Sequence, residues 1–358
     1  MRIAALLAAA LTTGLMIAPA FAVEQKFIPP AATEAELVTS MTAAAKALAA
    51  ALPPEEMKVA TFTYGGKEHK FWHYIPTALL NDQILGNNYK PYGRFGVPVE
   101  KMSPEALEKL HRLLRTSLSI DGYQRFMTII QTEGAAQPKL GISGLNRSPT
   151  STPAGGVDWY FFSLFGAIGE GTWGWRFEGH HFSLSMEIAD GHVRFSPVMV
   201  GYNPWPQLPI ANIQAVKLFS SLAKDKQAEA TIVSKSPDEG IPKDIDRSPK
   251  IAQPVGALLG KLDGDAQYAF NVLIDEFIGT FPDAAVGDLR KKIQSQTAET
   301  RIAWYGTTDP ATPYFVRIQG PTFLIQMRHN GIEATGCVHG HLSYHGLDAS
   351  TGTWALPQ

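Results

Sequence analysis

Four of the ten histidines in this chain fall in two tight clusters, His180–His181 and His339–His341. Imidazole is the commonest protein ligand for transition metals and titrates near neutral pH. Both clusters sit beside glycine in stretches that read as β-strand. Side chains on a strand alternate, so His339 and His341 share one face and can hold two corners of a metal site. The third ligand must come from another strand, and His180 or His181 is the candidate. Glu178 is the candidate ligand, general base or orienting carboxylate. Imidazole suits Zn, Cu, Fe and Ni alike, so the ion's identity stays open. The blander reading is that these are satisfied core or surface histidines, and it stays open beside the metal reading.

His345 falls on the face of His339 and His341. Successive same-face positions are ~7 Å apart, so three histidines of one straight strand cannot all reach one ion. His345 is therefore a candidate orienting group or substrate contact, as are Arg176, Arg317 and Gln319. Cys337 beside His339 reads as a thiol near the cluster rather than a nucleophile.

The first cluster carries a register signal. Trp173, Trp175 and Phe177 share odd parity, whereas Phe182, Leu184 and Met186 share even parity. If 173–188 is one strand with a single core face, the register must slip by one residue. A β-bulge at Gly179–His181 would do this. It would put Arg176, Glu178, His181, Ser183 and Glu187 on the non-core face, where the charged residues avoid unpaired burial.

Other motifs are weaker. Gly169-Glu-Gly-Thr-Trp-Gly174 matches G-x-G-x-x-G, but strand follows it where a dinucleotide site needs a helix. It is expected to be a strand-connecting turn that binds no nucleotide. No H-E-x-x-H, P-loop or G-x-S-x-G is present. His69 and His73 are four apart in a stretch that reads as strand, so they are expected to pack rather than ligate. Tyr202–Gln207 reads as a loop that caps the fold or lines a cleft.

Composition narrows the function classes. Met1–Ala22 pairs a basic start with an apolar run and an Ala-Phe-Ala cleavage signature, which predicts a secretory signal peptide and an exported, periplasmic or secreted protein. With Arg2 removed, 30 basic side chains face 33 acidic ones. That near-neutral balance argues against nucleic acid or anionic membranes as partners. No later stretch reaches the ~20 apolar residues of a membrane span. One cysteine cannot form an internal disulfide, so stability must come from a core, and 45% hydrophobic residues supply one.

The elements that must position these residues follow from periodicity. Thr33 caps a helix over 34–52, and Ser103-Pro104 starts another. Strands 59–64 and 70–75 are expected to pair as a hairpin across Gly65-Gly66. A helix runs 123–133, and 134–156 reads as a long loop. Strands follow at 157–165, 173–188 and 192–199, the last two joined by an Ala189-Asp190-Gly191 turn. Helices at 212–230, 266–281 and 285–293, with a loop at 234–254, precede strands at 300–305, 314–319, 322–328 and 336–345. No internal repeat is evident. The order predicts a single α+β domain over 23–358. Its largely antiparallel sheet comes from the central and C-terminal strands, packed with helices of the N-terminal third and of 212–293.

Three segments carry a resemblance: Trp173-Gly-Trp-Arg-Phe-Glu-Gly-His-His-Phe-Ser-Leu-Ser, Arg301-Ile-Ala-Trp304, and Arg317-Ile-Gln-Gly-Pro-Thr-Phe-Leu-Ile325. They resemble the family catalogued as domain of unknown function 3500, from about residue 100 to 348. That family typically ends with His-x-His, an aromatic and an arginine. Here His339-Gly-His341 and Tyr344 match, while His345 stands in place of arginine. Arg328-His-Asn-Gly replaces a more acidic stretch. The resemblance implies a shared fold and histidine constellation, and no substrate.

The chain is thus expected to be an exported metal-binding protein with a small-molecule substrate or ligand. As a metal-dependent hydrolase or oxygenase it would hold Zn, Cu or Fe through His180, His181, His339 and His341, with Glu178 as the catalytic base or a carboxylate ligand. A non-catalytic periplasmic binder of metal or small ligand, and a purely structural exported domain, stay open.

Overall fold

Thr33 accepts a hydrogen bond from the Glu36 amide at 3.2 Å, and this cap starts helix α1 (Glu34–Ala51). Leu37, Met41, Ala45 and Leu48 form its buried stripe. Ser103 caps α5 (Pro104–Ser117) in the same way, with proline in the first turn. The computed structural model describes residues 28–75, 77–80, 92–140, 160–205, 208–232, 253–332, 336 and 338–347. The expected signal peptide, residues 141–156 and 234–252 of the two expected loops, and Cys337 lie outside them.

Between α1 and α5 come α2 (Pro54–Ala60), β1 (Thr61–Phe62), the single turns α3 (Lys67–Lys70) and α4 (Thr77–Leu80), and β2 (Val97–Pro98). Helix α6 (Ile120–Leu140) leads to β3 (Phe161–Phe165), β4 (Trp173–Gly179), β5 (Phe182–Ala189) and β6 (His192–Trp205). Then come α7 (Ile210–Ser221), α8 (Lys224–Ala230), β7 (Thr231–Ile232) and β8 (Ala257–Leu258). Helices α9 (Gly264–Ile278) and α10 (Asp283–Ser295) precede β9 (Arg301–Gly306), β10 (Tyr314–Gln319), β11 (Phe323–Ile332) and β12 (Val338–Gly346). The class is α+β, with one twelve-stranded sheet that is antiparallel except for β1–β3 and β7–β9.

The sheet's order is β1-β3-β4-β5-β6-β12-β11-β10-β9-β7, with β2 on β3 and β8 on β9. It reads as a palindrome: each half contributes a short parallel edge strand after a helix, then four antiparallel strands. Equivalent positions share chemistry. Gly96 and Gly256 directly precede β2 and β8 with φ near +90°, and a Cβ there would lie 2.4 Å from the Phe162 carbonyl and 2.1 Å from the Ile302 carbonyl. Gly201 N–H donates to the His181 carbonyl, and Leu347 N–H donates to that of Thr322. The chain therefore does contain an internal repeat. Its sequence trace is Arg176-x-x-Gly-x-x-Phe-x-Leu-x-Met186 against Arg317-x-x-Gly-x-x-Phe-x-Ile-x-Met327. Insertions and divergence elsewhere hide it from a search at fixed period.

The expected bulge at Gly179–His181 is not formed. Residues 173–188 are two strands, and Gly179 pairs with Phe182 across a two-residue hairpin turn. Turn and bulge both shift parity by one, so the faces come out as expected. Trp173, Trp175, Phe177, Phe182, Leu184 and Met186 join the main core under the helices. Arg176, Glu178, Ser183, Ser185 and Glu187 point to the other face. The Asp190-Gly191 turn and the Gly169–Gly174 turn are as expected.

The expected hairpin at 59–75 is also absent. Residues 59–60 end α2, β1 pairs in parallel with β3, and residues 71–75 form an irregular strap across the polar face. Aromatic alternation marks extended chain, but the strap's carbonyls meet side chains instead of a neighbouring strand. The Arg176 guanidinium donates to the carbonyls of Glu68, His69 and Phe71. Arg94 donates to those of His73 and Ile75. Buried backbone acceptors are thus satisfied without a ladder. Helix α6 extends to Leu140, the 212–230 helix is broken at Leu222–Ala223, and Tyr202 lies in β6 rather than in a loop.

Candidate metal centre

Gly201 on β6 lies directly opposite His341 on β12, and its amide donates to the His181 carbonyl. These two connections bring the hairpin turn of the first half against the last strand of the second. A Cβ on Gly201 would lie 2.8 Å from His181 Cδ2 and 3.2 Å from His341 Cδ2. Glycine is what leaves room for both rings.

The rings of His181, His339 and His341 form a near-equilateral triangle. Centroids are 5.6 Å apart for His181–His339, 5.7 Å for His181–His341 and 5.1 Å for His339–His341. One nitrogen from each lies within 4.8 Å of the others. Nitrogens around a tetrahedral ion would be ~3.4 Å apart, given metal–nitrogen bonds of ~2.0–2.1 Å. An ion at the centre would have to draw the three rings closer by that difference. His181 is buried, while His339 and His341 are half-buried, so the triangle has a deep corner and two shallower ones.

His181 has a strained backbone. Its φ is 109°, and among described non-glycine residues only it and Asp190 have positive φ. His181 is the third residue of the Gly179–Phe182 turn, a position where positive φ favours glycine or asparagine. Hairpins usually adopt primed turns, as Asp190-Gly191 does here. Such strain costs of order 1–3 kcal/mol and collects at functional sites.

His341 is held from the strap. The Tyr74 hydroxyl is 3.1 Å from Nδ1 of His341, and the two rings are 4.4 Å apart. Tyr74 is placed by its neighbour: Nδ1 of His73 accepts from the amides of Tyr74 and Ile75 at 3.1 and 3.2 Å. The His73 amide in turn donates to Glu178 at 3.2 Å.

The remaining candidates fall around this centre. His180 stacks on His181 with centroids 3.9 Å apart and stays outside the triangle. Glu178 is buried and also lies outside it. One of its oxygens pairs with Arg94 at 3.3 Å, and the other accepts from Ser183 at 3.2 Å. Arg176 clamps the strap. Glu187 accepts from Tyr64 at 2.9 Å and faces His69 Nε2 at 3.4 Å. His69 Nδ1 accepts the Gly65 amide, so its proton sits on Nε2 toward Glu187. Burial holds His69 below the usual histidine range against the pull of Glu187.

Arg317 and Gln319 occupy on β10 the positions that Arg176 and Glu178 occupy on β4, and both are buried. His345, on the histidine face of β12, lies 3.3 Å from Ser343 Oγ and 5.7 Å from the Trp72 ring. Burial, then the nearby Arg317 charge, push its pKa down to about 3. It is a neutral ring at physiological pH. Sequence reasoning missed Gly201, Tyr74 and Arg94. Only the Trp72/Tyr74 alternation gave any signal, because these three act across distances in sequence that no local pattern spans.

Among the described residues no helix is long and apolar enough to cross a membrane. No curated protein and no solved structure matches the chain. One family model does, over residues 34–345, nearly the whole chain. The protein that carries this three-histidine triangle therefore belongs to the family described as "Protein of unknown function (DUF3500)".

Proposed function

We propose that the protein is an exported, metal-dependent enzyme whose ion is held by His181, His339 and His341. The observation that carries this reading is the convergence of three imidazoles from two distant segments, with a nitrogen of each within 4.8 Å of the others. The strained φ of His181 and the glycine between two of the rings support it, since neither benefits a merely packed histidine.

Three protein nitrogens would leave one position of a tetrahedral ion for water or substrate, the arrangement of catalytic rather than structural zinc. Among the described residues the group holds no carboxylate. That favours lowering the pKa of a bound water over oxygen chemistry at a two-histidine, one-carboxylate site. Zn is the ion that fits this best, with Cu and Fe as the other candidates. Glu178 is engaged by Arg94 and Ser183, so its contribution runs through the strap and not through proton abstraction at the ion. The substrate is a small molecule reaching the half-buried His339–His341 edge. Export rests on the Met1–Ala22 leader.

Elemental analysis of full-length protein, expressed without a histidine tag, tests the reading. About one equivalent of metal, lost in His341→Ala, is expected. Absence of metal after exposure to Zn, Cu and Fe would overturn it. Stoichiometric metal with no exchangeable water, read by relaxation of a paramagnetic substitute, would instead favour a storage or structural protein.

A further inference from the structure

Metal ligation by a neutral imidazole uses one ring nitrogen and leaves the proton on the other, which then needs an acceptor. On His341 the Nδ1 side meets Tyr74, whose hydroxyl lies 3.1 Å away. If that hydroxyl donated to Nδ1, the proton of the neutral ring would sit on Nε2 and close it to an ion. Ligation through Nε2 therefore requires the opposite polarity, with Nδ1–H donating to the phenol oxygen.

We infer that Tyr74 is a positioning residue of the metal centre: it fixes the tautomer and tilt of His341 so that Nε2 faces the ion. This rests on the metal reading above and adds a residue far from the histidine motifs. The rest of the strap makes geometric sense on this basis. Tyr74 and Trp72 pack with Met199, Leu324 and Leu347 in a small core of their own on the polar face. His73 braces the Tyr74 amide through Nδ1, and its own amide is held by Glu178. Arg94 ties Glu178 to the carbonyls of His73 and Ile75. Two buried charges thus hold an irregular segment whose aromatic tip meets His341. Without such a bracing network, a strap lacking a strand partner would leave the phenol's position loose.

The test uses full-length, untagged protein stripped of metal and titrated with Zn²⁺ against a chromophoric chelator. Tyr74→Phe keeps the ring and its packing and removes the oxygen. The expected result is a dissociation constant ~10- to 100-fold weaker, the usual effect of losing a hydrogen bond behind a metal-bound histidine. The d–d spectrum of the Co²⁺-loaded variant should shift, and the melting temperature of the metal-free protein should hold. A Zn²⁺ affinity within twofold of wild type, or an unchanged Co²⁺ spectrum, would overturn the role of Tyr74 while leaving the three-histidine site standing. Wild-type protein that binds neither ion would overturn both. Weakened binding with an equally lowered metal-free melting temperature would assign Tyr74 to packing alone, also against the inference.

Discussion

The φ of 109° at His181 allows a test by sign rather than size. Two variants both delete the imidazole, His181→Ala and His181→Gly, and both are compared free of metal, so lost ligation cancels. At an ordinary position alanine is more stable than glycine by ~0.5–1 kcal/mol, because glycine gives up more backbone entropy on folding. At His181 a Cβ must be held at positive φ. That costs roughly 1–2 kcal/mol for an L-residue in the left-handed region, and up to ~3 kcal/mol in sparser regions. Subtracting the entropic term leaves His181→Gly more stable than His181→Ala by about 1 kcal/mol. A normal site would put the difference at about −1 kcal/mol, so the two expectations are ~2 kcal/mol apart. Urea unfolding with chelator present reads this directly from the midpoints at a common m-value. If His181→Ala proves as stable as His181→Gly or more so, the turn is unstrained. The argument that backbone energy is stored to aim this ring then fails. Both variants should lose metal equally, since each has lost one ligand of three.

Three further outcomes follow from the geometry. Gly201→Ala places a methyl 2.8 Å from His181 Cδ2, so the rings must part; metal affinity should drop at least tenfold with ~1–3 kcal/mol of overpacking cost, and an unaffected affinity in the same titration would show that the rings can yield. Arg94→Met leaves the buried Glu178 carboxylate without the nearer of its two cations, Arg176 being 3.9 Å away, and should cost ~3–5 kcal/mol, with part recovered in the Arg94→Met/Glu178→Gln double variant; a double variant no more stable than the single one would show the ion pair is not the reason. His345, with a folded-state pKa of about 3 against an ordinary 6.5, binds a proton more readily when unfolded. Its contribution is fully present above pH 6.5 and is lost as pH falls toward 3, by at most about 1.4 kcal/mol per pH unit. His345→Gln should flatten the stability profile between pH 4 and 6.5 relative to wild type, and a superimposable profile would contradict the burial argument.

Local chemistry was legible in the sequence. Caps at Thr33 and Ser103, the Asp190-Gly191 turn and the helix stripes follow from rules spanning four residues or fewer. The faces of β4 and β5 were legible too, because period-two alternation records which side is core. What alternation cannot record is the cause of a parity change: a bulge and a two-residue turn shift it identically, and only strand pairing distinguished them at His180–His181. The strap escaped for a related reason. Extended aromatic chain reads as strand, but whether a neighbouring strand or a pair of arginines 19 or more residues away meets its carbonyls is decided in three dimensions. The histidine types and the shared face of His339 and His341 belonged to the sequence. That His181 and not His180 completes the triangle did not, because both occupy the turn and only the positive φ of His181, with Gly201 leaving space beneath it, turns that ring toward β12.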